Sequence, residues 1–239
     1  MRGCLSFLLF VVVLVGLLAW FVLPAVAGPL VVASLTGAGL DGRDTRATVT
    51  ANPPLELLLL RADRVRVQSS DVALRGIRAA SLDISLTDVS FLDRSFASID
   101  GDLGGLTVTT AAGASVEIPS IHISGSSSTA RADFVVPSSL VVSLAQDAAE
   151  RATGRRPSAV TLKSPDVVSF DVGGATLDET LAIDGWGDLI AEGSGGAAGL
   201  PSLVLVRATE IAPFALDSVS VVDAGVRLGG TVDLAAMGL

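Results

Sequence analysis

The chain has 239 residues, of which half are hydrophobic, and it carries a formal net charge of −9. This length allows one large domain or two small ones. The acidic balance argues against binding of nucleic acid, which requires Lys and Arg to neutralise phosphates, and against polybasic docking on anionic lipid headgroups. The single cysteine, Cys4, excludes a disulfide within the chain.

The first 27 residues form an apolar leader. Arg2 precedes an apolar run from Cys4 to Leu23, and Ala25-Val26-Ala27 follows. A charged start, an apolar middle and an A-x-A end are typical of a secretory signal peptide, but a run of about 20 residues is also long enough to span a bilayer. Residues 1–27 are therefore predicted to be a signal peptide or an N-terminal membrane anchor. Either alternative exports the rest, to the extracytoplasmic face of the plasma membrane, a periplasm-like space or the medium.

Residues 28–47 are predicted to be a linker or entry segment with a turn region at 37–46, and residues 48–239 a single domain. The stretch LELLLLRADRVRVQ, residues 55–68, follows the breaker sequence NPP. It is predicted to be one strand, or two strands with a bend near residues 61–63. Its leucine half is expected to lie between a sheet and another apolar layer, and its arginine half to have one wet face.

Apolar and polar residues then alternate with period two in many short segments, which is the pattern of strands with one buried face. Glycine-rich turns separate these segments. One helix is predicted after Pro137, with Ser138 or Ser139 as its N-cap, an apolar face on Leu140, Val141, Leu144 and Ala148, and Gly154 as its stop. A shorter helix is predicted at 177–183 or 186–192. The expected fold class is α+β and strand-rich, with one or two helices packed on the sheet and an N-terminal hydrophobic helix.

The pattern contains little that indicates chemistry. His122 lies between Ile121 and Ile123 and is interpreted as a residue of a polar strand face, without a catalytic partner. Two acidic pairs lie in predicted glycine-rich loops, Asp100 with Asp102 and Asp184 with Asp188. They are interpreted as solvated turns, with a weak calcium site and a hydrolase acid pair as the alternatives. We therefore predict no catalytic residue, no metal ligand and no cofactor, and the protein is expected not to be an enzyme.

Three stretches resemble the LmeA family of phospholipid-binding cell-envelope proteins: LLLLRADRVRVQSSDVALRGIRAASLDISLTDVSFLD with IDGDLGGLTV, VEIPSIHISGSSSTARADFVVPSSLVVSLAQ, and IAPFALDSVSVVDAGVRLGGTVDL. The similarity covers residues 48–234. It implies a fold similar to tubular lipid-binding proteins, in which a long curved, mostly antiparallel sheet wraps a helix and leaves an apolar groove. The family provides no catalytic residues that could be carried over.

The resemblance implies an exported envelope protein that binds phospholipid or another acyl-chain lipid, for lipid transfer or for assembly of envelope lipid or glycolipid. Its partner would be membrane lipid, with the membrane itself a partner if the leader is retained, and no nucleic acid. The alternative is a structural or adhesive envelope domain with a closed, dry core. The residues predicted to line the groove are Leu58, Leu60, Leu82, Ile84, Leu86, Ile121, Ile123, Leu140, Val141 and Leu144.

Overall fold

A computed structural model of the chain describes residues 25–37, 39–74, 77–109, 115–193, 201–210 and 214–233. The predicted leader lies outside the described residues except for its last three. Residues 25–37 form a helix, α1. No helix in the described part of the chain is long and apolar enough to cross a membrane.

Most of the chain after α1 is strand. In chain order the strands are β1 (Leu40–Thr50), β2 (Arg61–Leu74), β3 (Ile77–Ser90), β4 (Ser98–Thr109), β5 (Ser115–Ser126), β6 (Ala130–Pro137), β7 (Ala159–Lys163), β8 (Val167–Val172), β9 (Ala175–Ile183), β10 (Leu189–Gly193), β11 (Leu203–Val206), β12 (Phe214–Val222) and β13 (Gly225–Val232). The helix α2 (Ser138–Thr153) follows β6, and short 3-10 helices cover Pro54–Leu59 and Ala208–Glu210.

The strands form two sheets. The larger has the order β1-β2-β3-β4-β5-β6-β13-β12, and the smaller has the order β11-β10-β9-β8-β7. The chain leaves the larger sheet after β6, builds α2 and the smaller sheet, and returns as β12 and β13. Every pair with a described register is antiparallel. The prediction of a strand-rich α+β fold is confirmed.

The described chain divides into two compact units. Unit 1 comprises the described residues up to Leu103, together with Ser124–Ser127. Unit 2 comprises Gly104–Ile123 and the described residues from Ser128 onward. Strands β4 and β5 therefore each contribute to both units.

Unit 1 shows the predicted alternation on β2. Val65 and Val67 are buried, whereas Arg64, Arg66 and Gln68 are exposed. The wet face predicted for the arginine half of this stretch is therefore confirmed. The buried valines lie opposite Leu86 and Ile84 of β3, so the apolar residues of the two strands share one face.

The leucine half of the same stretch was predicted to be a strand, and this is wrong. Residues Pro54–Leu59 form a 3-10 helix, and β2 begins only at Arg61. Pro54 occupies the first turn, where its fixed φ suits a helix and its missing N–H costs no hydrogen bond. Leu60 ends the helix in the left-handed conformation, with φ of 57°. The two prolines and this stop therefore separate the leucines from the strand.

Two segments predicted as linker or loop form regular secondary structure instead. The region 28–47 contains part of α1 and most of β1, whose register shifts near Arg43 accommodate the residues interpreted as a turn. Asp100 and Asp102, also predicted to lie in a loop, are exposed residues of β4. Gly101 between them is buried beside β3, and an added Cβ would lie 2.8 Å from the Ile84 Cα. Glycine here permits close strand approach rather than a turn.

Unit 2 has a packed core that includes one face of α2. The cluster joins buried residues of α2, of the smaller sheet and of β6, β12 and β13. The predicted helix is confirmed at Ser138–Thr153, with Gly154 as its left-handed stop. The predicted serine cap is wrong, because Pro137 is the N-cap and no side chain bonds the first turn. The buried face centres on Val141, Ala145 and Ala148, so small residues allow close packing.

The shorter helix predicted at 177–183 or 186–192 is wrong. These segments are β9 and β10, which pair with each other. Leu177, Glu179 and Leu181 alternate along β9, and Glu179 occupies a buried position. A charged residue on the buried face concealed the period-two pattern.

The polar face of β2 and β3 carries a bidentate ion pair. Arg66 Nε and Nη2 donate to the two carboxylate oxygens of Asp83 at 2.8 and 2.6 Å, and Gln68 Nε2 donates to Oδ2 at 2.9 Å. The hydrogen bonds from Arg66 lower the pKa of Asp83 below its usual value, and Gln68 adds to the effect against partial desolvation. This pair links neighbouring strands on the face opposite Ile84 and Leu86.

We expect Gly230→Ala to destabilise unit 2. Gly230 is buried on β13, and an added Cβ would lie 2.9 Å from Leu216 Cα on β12, where backbone cannot yield as a side chain can. Overpacking of this kind costs about 1–3 kcal/mol, measurable by urea denaturation. Gly185→Ala is the control, because a Cβ there meets nothing within 4 Å. Equal midpoints for the two variants would contradict the packing described for β12 and β13.

We expect Asp83→Asn to lower stability at neutral pH, with a difference from the wild type that disappears in acid. A depressed folded-state pKa stabilises the fold above the unfolded-state pKa of about 3.9. That contribution is lost as the pH falls through the lower folded-state value. Urea midpoints measured across this range test the prediction. The control is Asp88→Asn, since Asp88 is exposed on the same strand and its positive φ is tolerated by Asn.

Candidate functional site

The ten predicted groove residues divide equally between the two units. Unit 1 contains Leu58, Leu60, Leu82, Ile84 and Leu86, and unit 2 contains Ile121, Ile123, Leu140, Val141 and Leu144.

The three candidates on β3 share one face of the strand. Leu82, Ile84 and Leu86 lie opposite Ser69, Val67 and Val65 of β2 in a regular register. All three β2 partners are buried, and so is Leu82, but Ile84 and Leu86 are partly exposed.

Partial exposure on β3 extends over both faces of the strand. Residues 83–87 are five consecutive positions, and every one of them is partly exposed. Because successive side chains point to opposite faces, protein covers neither face completely at the centre of β3. On the polar face this is expected, whereas on the apolar face it leaves accessible aliphatic surface at Ile84 and Leu86.

A second apolar surface lies where the 3-10 helix leads into β2. The exposed leucine patch, as we name it, comprises five side chains that are each about half exposed or more. They are Leu55 (50% exposed), Leu58 (59%), Leu59 (69%), Leu60 (49%) and Leu92 (74%). Leu58 and Leu60 were predicted as groove residues, whereas Leu55, Leu59 and Leu92 were missed. Single exposed leucines are ordinary, but a cluster of them marks an interaction surface.

Backbone hydrogen bonds fix the two segments of the patch. The Leu60 N–H donates to the Leu57 carbonyl at 3.1 Å, and the Phe91 N–H donates to the Leu60 carbonyl at 2.9 Å. The second bond places the turn that carries Leu92 beside the end of the 3-10 helix. Ser90 and Ser95 close that turn with two backbone hydrogen bonds of 2.8 and 3.1 Å. Leu57 is the buried leucine that attaches the helix to the unit.

The exposed leucine patch holds one of its leucines in a strained conformation. Leu60 has φ of 57°, in the left-handed region that costs a residue with a Cβ about 1–2 kcal/mol. Arg94, at the end of the neighbouring turn, also has a positive φ, of 51°. Strain of this kind persists where surrounding structure enforces it, and it is concentrated at functional surfaces.

Among the charged residues near the exposed leucine patch, two aspartates accept hydrogen bonds and two arginines form no ion pair in the described part of the chain. Asp63 Oδ2 accepts the Asn52 N–H at 2.7 Å, and Asp93 Oδ2 accepts the Ser90 hydroxyl at 2.7 Å. Arg61 and Arg94 are both exposed, and neither forms an ion pair in the part of the chain that the structure describes. The Asp63 carboxylate thus holds the backbone at Asn52 and the Asp93 carboxylate holds the Ser90 side chain, while both arginines are exposed.

The candidates in unit 2 lie in more closed surroundings. Val141 is 2% exposed and belongs to the packed core cluster, against which Leu140 also packs. Ile121 and Ile123 are buried on β5, and Leu144 of α2 is partly exposed. Of these five residues, Leu140 and Leu144 are the two that keep accessible surface.

The residues with potential for chemistry occupy ordinary structural positions. His122 is exposed between two buried isoleucines, as predicted. Asp184 Oδ1 accepts the N–H groups of Trp186 and Asp188 at 2.8 and 2.9 Å, and Asp188 Oδ1 accepts the Ala208 N–H at 2.7 Å. These carboxylates therefore shape the β9–β10 turn. Within the described ranges, no group of three or more His, Cys, Asp and Glu side chains is arranged to hold a metal ion.

Sequence reasoning missed two conspicuous residues of unit 2. Glu179 is 1% exposed, on the face of β9 that also buries Leu181. Trp186, at the centre of the β9–β10 turn, is 87% exposed. The alternation of Leu177, Glu179 and Leu181 was the available signal for the first. The Asp-Gly-Trp-Gly-Asp sequence, which is typical of a tight turn, was the signal for the second.

Comparison of the chain with protein-family models, with curated proteins and with solved structures finds no match.

We expect Asp184→Ala to lower the stability of unit 2 by about 1 kcal/mol, because two backbone N–H groups lose their acceptor. Asp184→Asn should lose less, since its amide oxygen still accepts. Thermal unfolding of both variants measures the difference, with Asp223→Ala in the exposed β12–β13 turn as the control. An unchanged midpoint for Asp184→Ala would show that its carboxylate does not maintain the turn.

Proposed function

We propose that this protein is an exported cell-envelope protein that binds a phospholipid or another acyl-chain lipid against the apolar face of β3. The ligand would be held for lipid transfer or for assembly of envelope lipid or glycolipid. The proposal assigns no catalytic chemistry to the chain. Its site of action would be the extracytoplasmic face of the plasma membrane, a periplasm-like space or the medium.

The observation that carries the proposal is the incomplete cover of Ile84 and Leu86. Both side chains belong to an apolar sheet face whose neighbours Val65 and Val67 are buried, yet both remain partly exposed. A dry core would bury residues at the centre of such a face, because exposed aliphatic area costs free energy. An acyl chain lying along β3 would remove this area from water.

The energetics of such binding need neither charge nor metal. Each methylene group transferred from water gains about 0.8 kcal/mol. A lipid tail with several buried methylenes therefore binds through aliphatic contact alone. Such binding is compatible with the acidic composition of the chain, because contacts to the lipid tail do not require basic residues to bind an anionic headgroup.

The resemblance of residues 48–234 to the LmeA family supports the same proposal. It implies a long curved sheet with an apolar groove, and phospholipid as the ligand. The apolar leader supports export, either as a cleaved signal or as a retained anchor.

A second candidate function is a structural or adhesive envelope domain without a ligand. The packed cluster of unit 2 favours it, because Val141 and the buried face of α2 belong to a core of closely packed side chains there. This candidate predicts that lipid acyl chains contact the leader alone.

The proposal predicts that a membrane-delivered acyl chain will label β3. The full chain is reconstituted into vesicles of phosphatidylcholine that bears a photoreactive diazirine at the end of one acyl chain. After irradiation, mass spectrometry of the digested protein should locate cross-links on residues 82–86 as well as on the leader. Cross-links confined to the leader would contradict acyl-chain binding and favour the ligand-free alternative.

The double variant Ile84→Ser/Leu86→Ser should reduce the β3 cross-link yield by about tenfold, which corresponds to roughly 1.4 kcal/mol of lost apolar contact. The matched control is Ser81→Ala/Ser85→Ala on the opposite face of the same strand, which should keep the wild-type yield. Equal yields in the two double variants would place the lipid elsewhere.

A further inference from the structure

We propose that the exposed leucine patch inserts into the surface of a phospholipid bilayer, with Arg61 and Arg94 against lipid phosphates. The patch lies beyond the end of the β2–β3 pair, where Arg61 pairs with Ser90, and this inference does not depend on acyl-chain binding at Ile84 and Leu86. It assigns a membrane contact to five exposed leucines on two segments that a backbone hydrogen bond joins.

The apolar area itself indicates a contact outside the unit. The leucines sit on a short helix and a turn, and the backbone bond from Phe91 to Leu60 joins these two segments. Pro54 and Leu57 are the buried residues of the 3-10 helix, whereas the leucines at 58, 59 and 60 each leave about half or more of the side chain exposed. Leucines that the unit does not use for its own core are available to an apolar phase outside it.

Two exposed arginines beside the exposed leucine patch favour a phospholipid bilayer as the apolar phase that the leucines contact. A bilayer presents phosphates directly above its acyl region, and guanidinium groups bind phosphate with charge-assisted hydrogen bonds. Arg61 follows the last leucine of the run, and Arg94 lies two residues after Leu92. Both are exposed and have no carboxylate partner in the described chain, whereas the Asp63 carboxylate accepts the Asn52 N–H and the Asp93 carboxylate accepts the Ser90 hydroxyl. The nearby Glu56 is partly buried.

The sequence that precedes α1 also supports a phospholipid bilayer as the surface that the exposed leucine patch contacts. Residues 1–24 are almost entirely apolar and lead directly into α1 of unit 1. A leader retained in the bilayer would tether unit 1 within reach of the lipid headgroups. The alternative occupants of the patch are a second copy of the chain and the leader itself, and the experiment separates them from lipid.

The test uses site-specific fluorescence of the full chain in phosphatidylcholine vesicles. Cys4→Ser removes the native thiol, and Leu59→Cys carries an environment-sensitive nitrobenzoxadiazole label. Thr48→Cys is the matched control, because Thr48 is exposed on β1 of the same unit. The label at 59 should shift to shorter wavelength and lose most of its fluorescence when the vesicles contain nitroxide-bearing lipid. The label at 48 should do neither.

Two outcomes would overturn the proposal. The first is an unquenched label at 59 on protein that floats with the vesicles. The second is a wavelength shift at 59 without quenching by lipid nitroxide, which would show that protein covers the patch instead.

Leu60→Asn separates insertion from a structural role. Asn tolerates the left-handed conformation of residue 60, so this variant should keep or raise the unfolding midpoint. It should nevertheless reduce the quenching of the label at 59. A lowered midpoint with unchanged quenching would assign Leu60 to the fold and not to the membrane.

Discussion

The structure depends on one constraint, which is that each strand has an apolar face that must be covered. With a single cysteine in the chain, no disulfide can stabilise either unit, so burial and hydrogen bonding must supply the stability. The cross-strand rows, such as Val65 opposite Leu86 and Val67 opposite Ile84, are the direct result. Polar links such as Arg66 with Asp83 lie on the other face, where water weakens them.

The two units meet this constraint in different ways. In unit 2 the small residues of α2 allow the helix to lie close to the strands, and large side chains such as Phe170 are completely buried. In unit 1 the centre of β3 keeps aliphatic surface at Ile84 and Leu86 that other protein does not fully cover. A folded unit tolerates such a surface in two cases. Either the free-energy cost of the exposed aliphatic area is small compared with the stabilisation from the buried residues, or a ligand removes that area from water. This difference is why the lipid proposal rests on unit 1.

Strands and helices whose apolar residues recur with one regular period were predictable from the sequence. Elements whose conformation depends on contact with a strand far along the chain were not. The alternation on β2 follows from its side-chain pattern, and the helix Ser138–Thr153 follows from its apolar face and the glycine stop at 154. Asp-Gly-Asp at 100–102 was interpreted as a loop because local propensity cannot show that Gly101 allows β3 to approach. Of the site, Leu82, Ile84 and Leu86 were placed correctly on one strand face, but their exposure depends on what covers them.

The leucine run shows why composition alone misleads about burial. Residues 55–60 contain five leucines, and so apolar a segment is predicted to be buried. The structure nevertheless exposes four of the five. The two prolines begin a helix too short to bury more than one of its leucines, and Leu60 then leads the chain into β2 in a conformation that Asn or Gly adopts more readily. Leucine at this position therefore leaves about half of its side chain exposed and occupies a backbone conformation that disfavours it. A contact that removed the exposed part of Leu60 from water would offset this cost, and the proposed contact with lipid would do so through aliphatic burial alone.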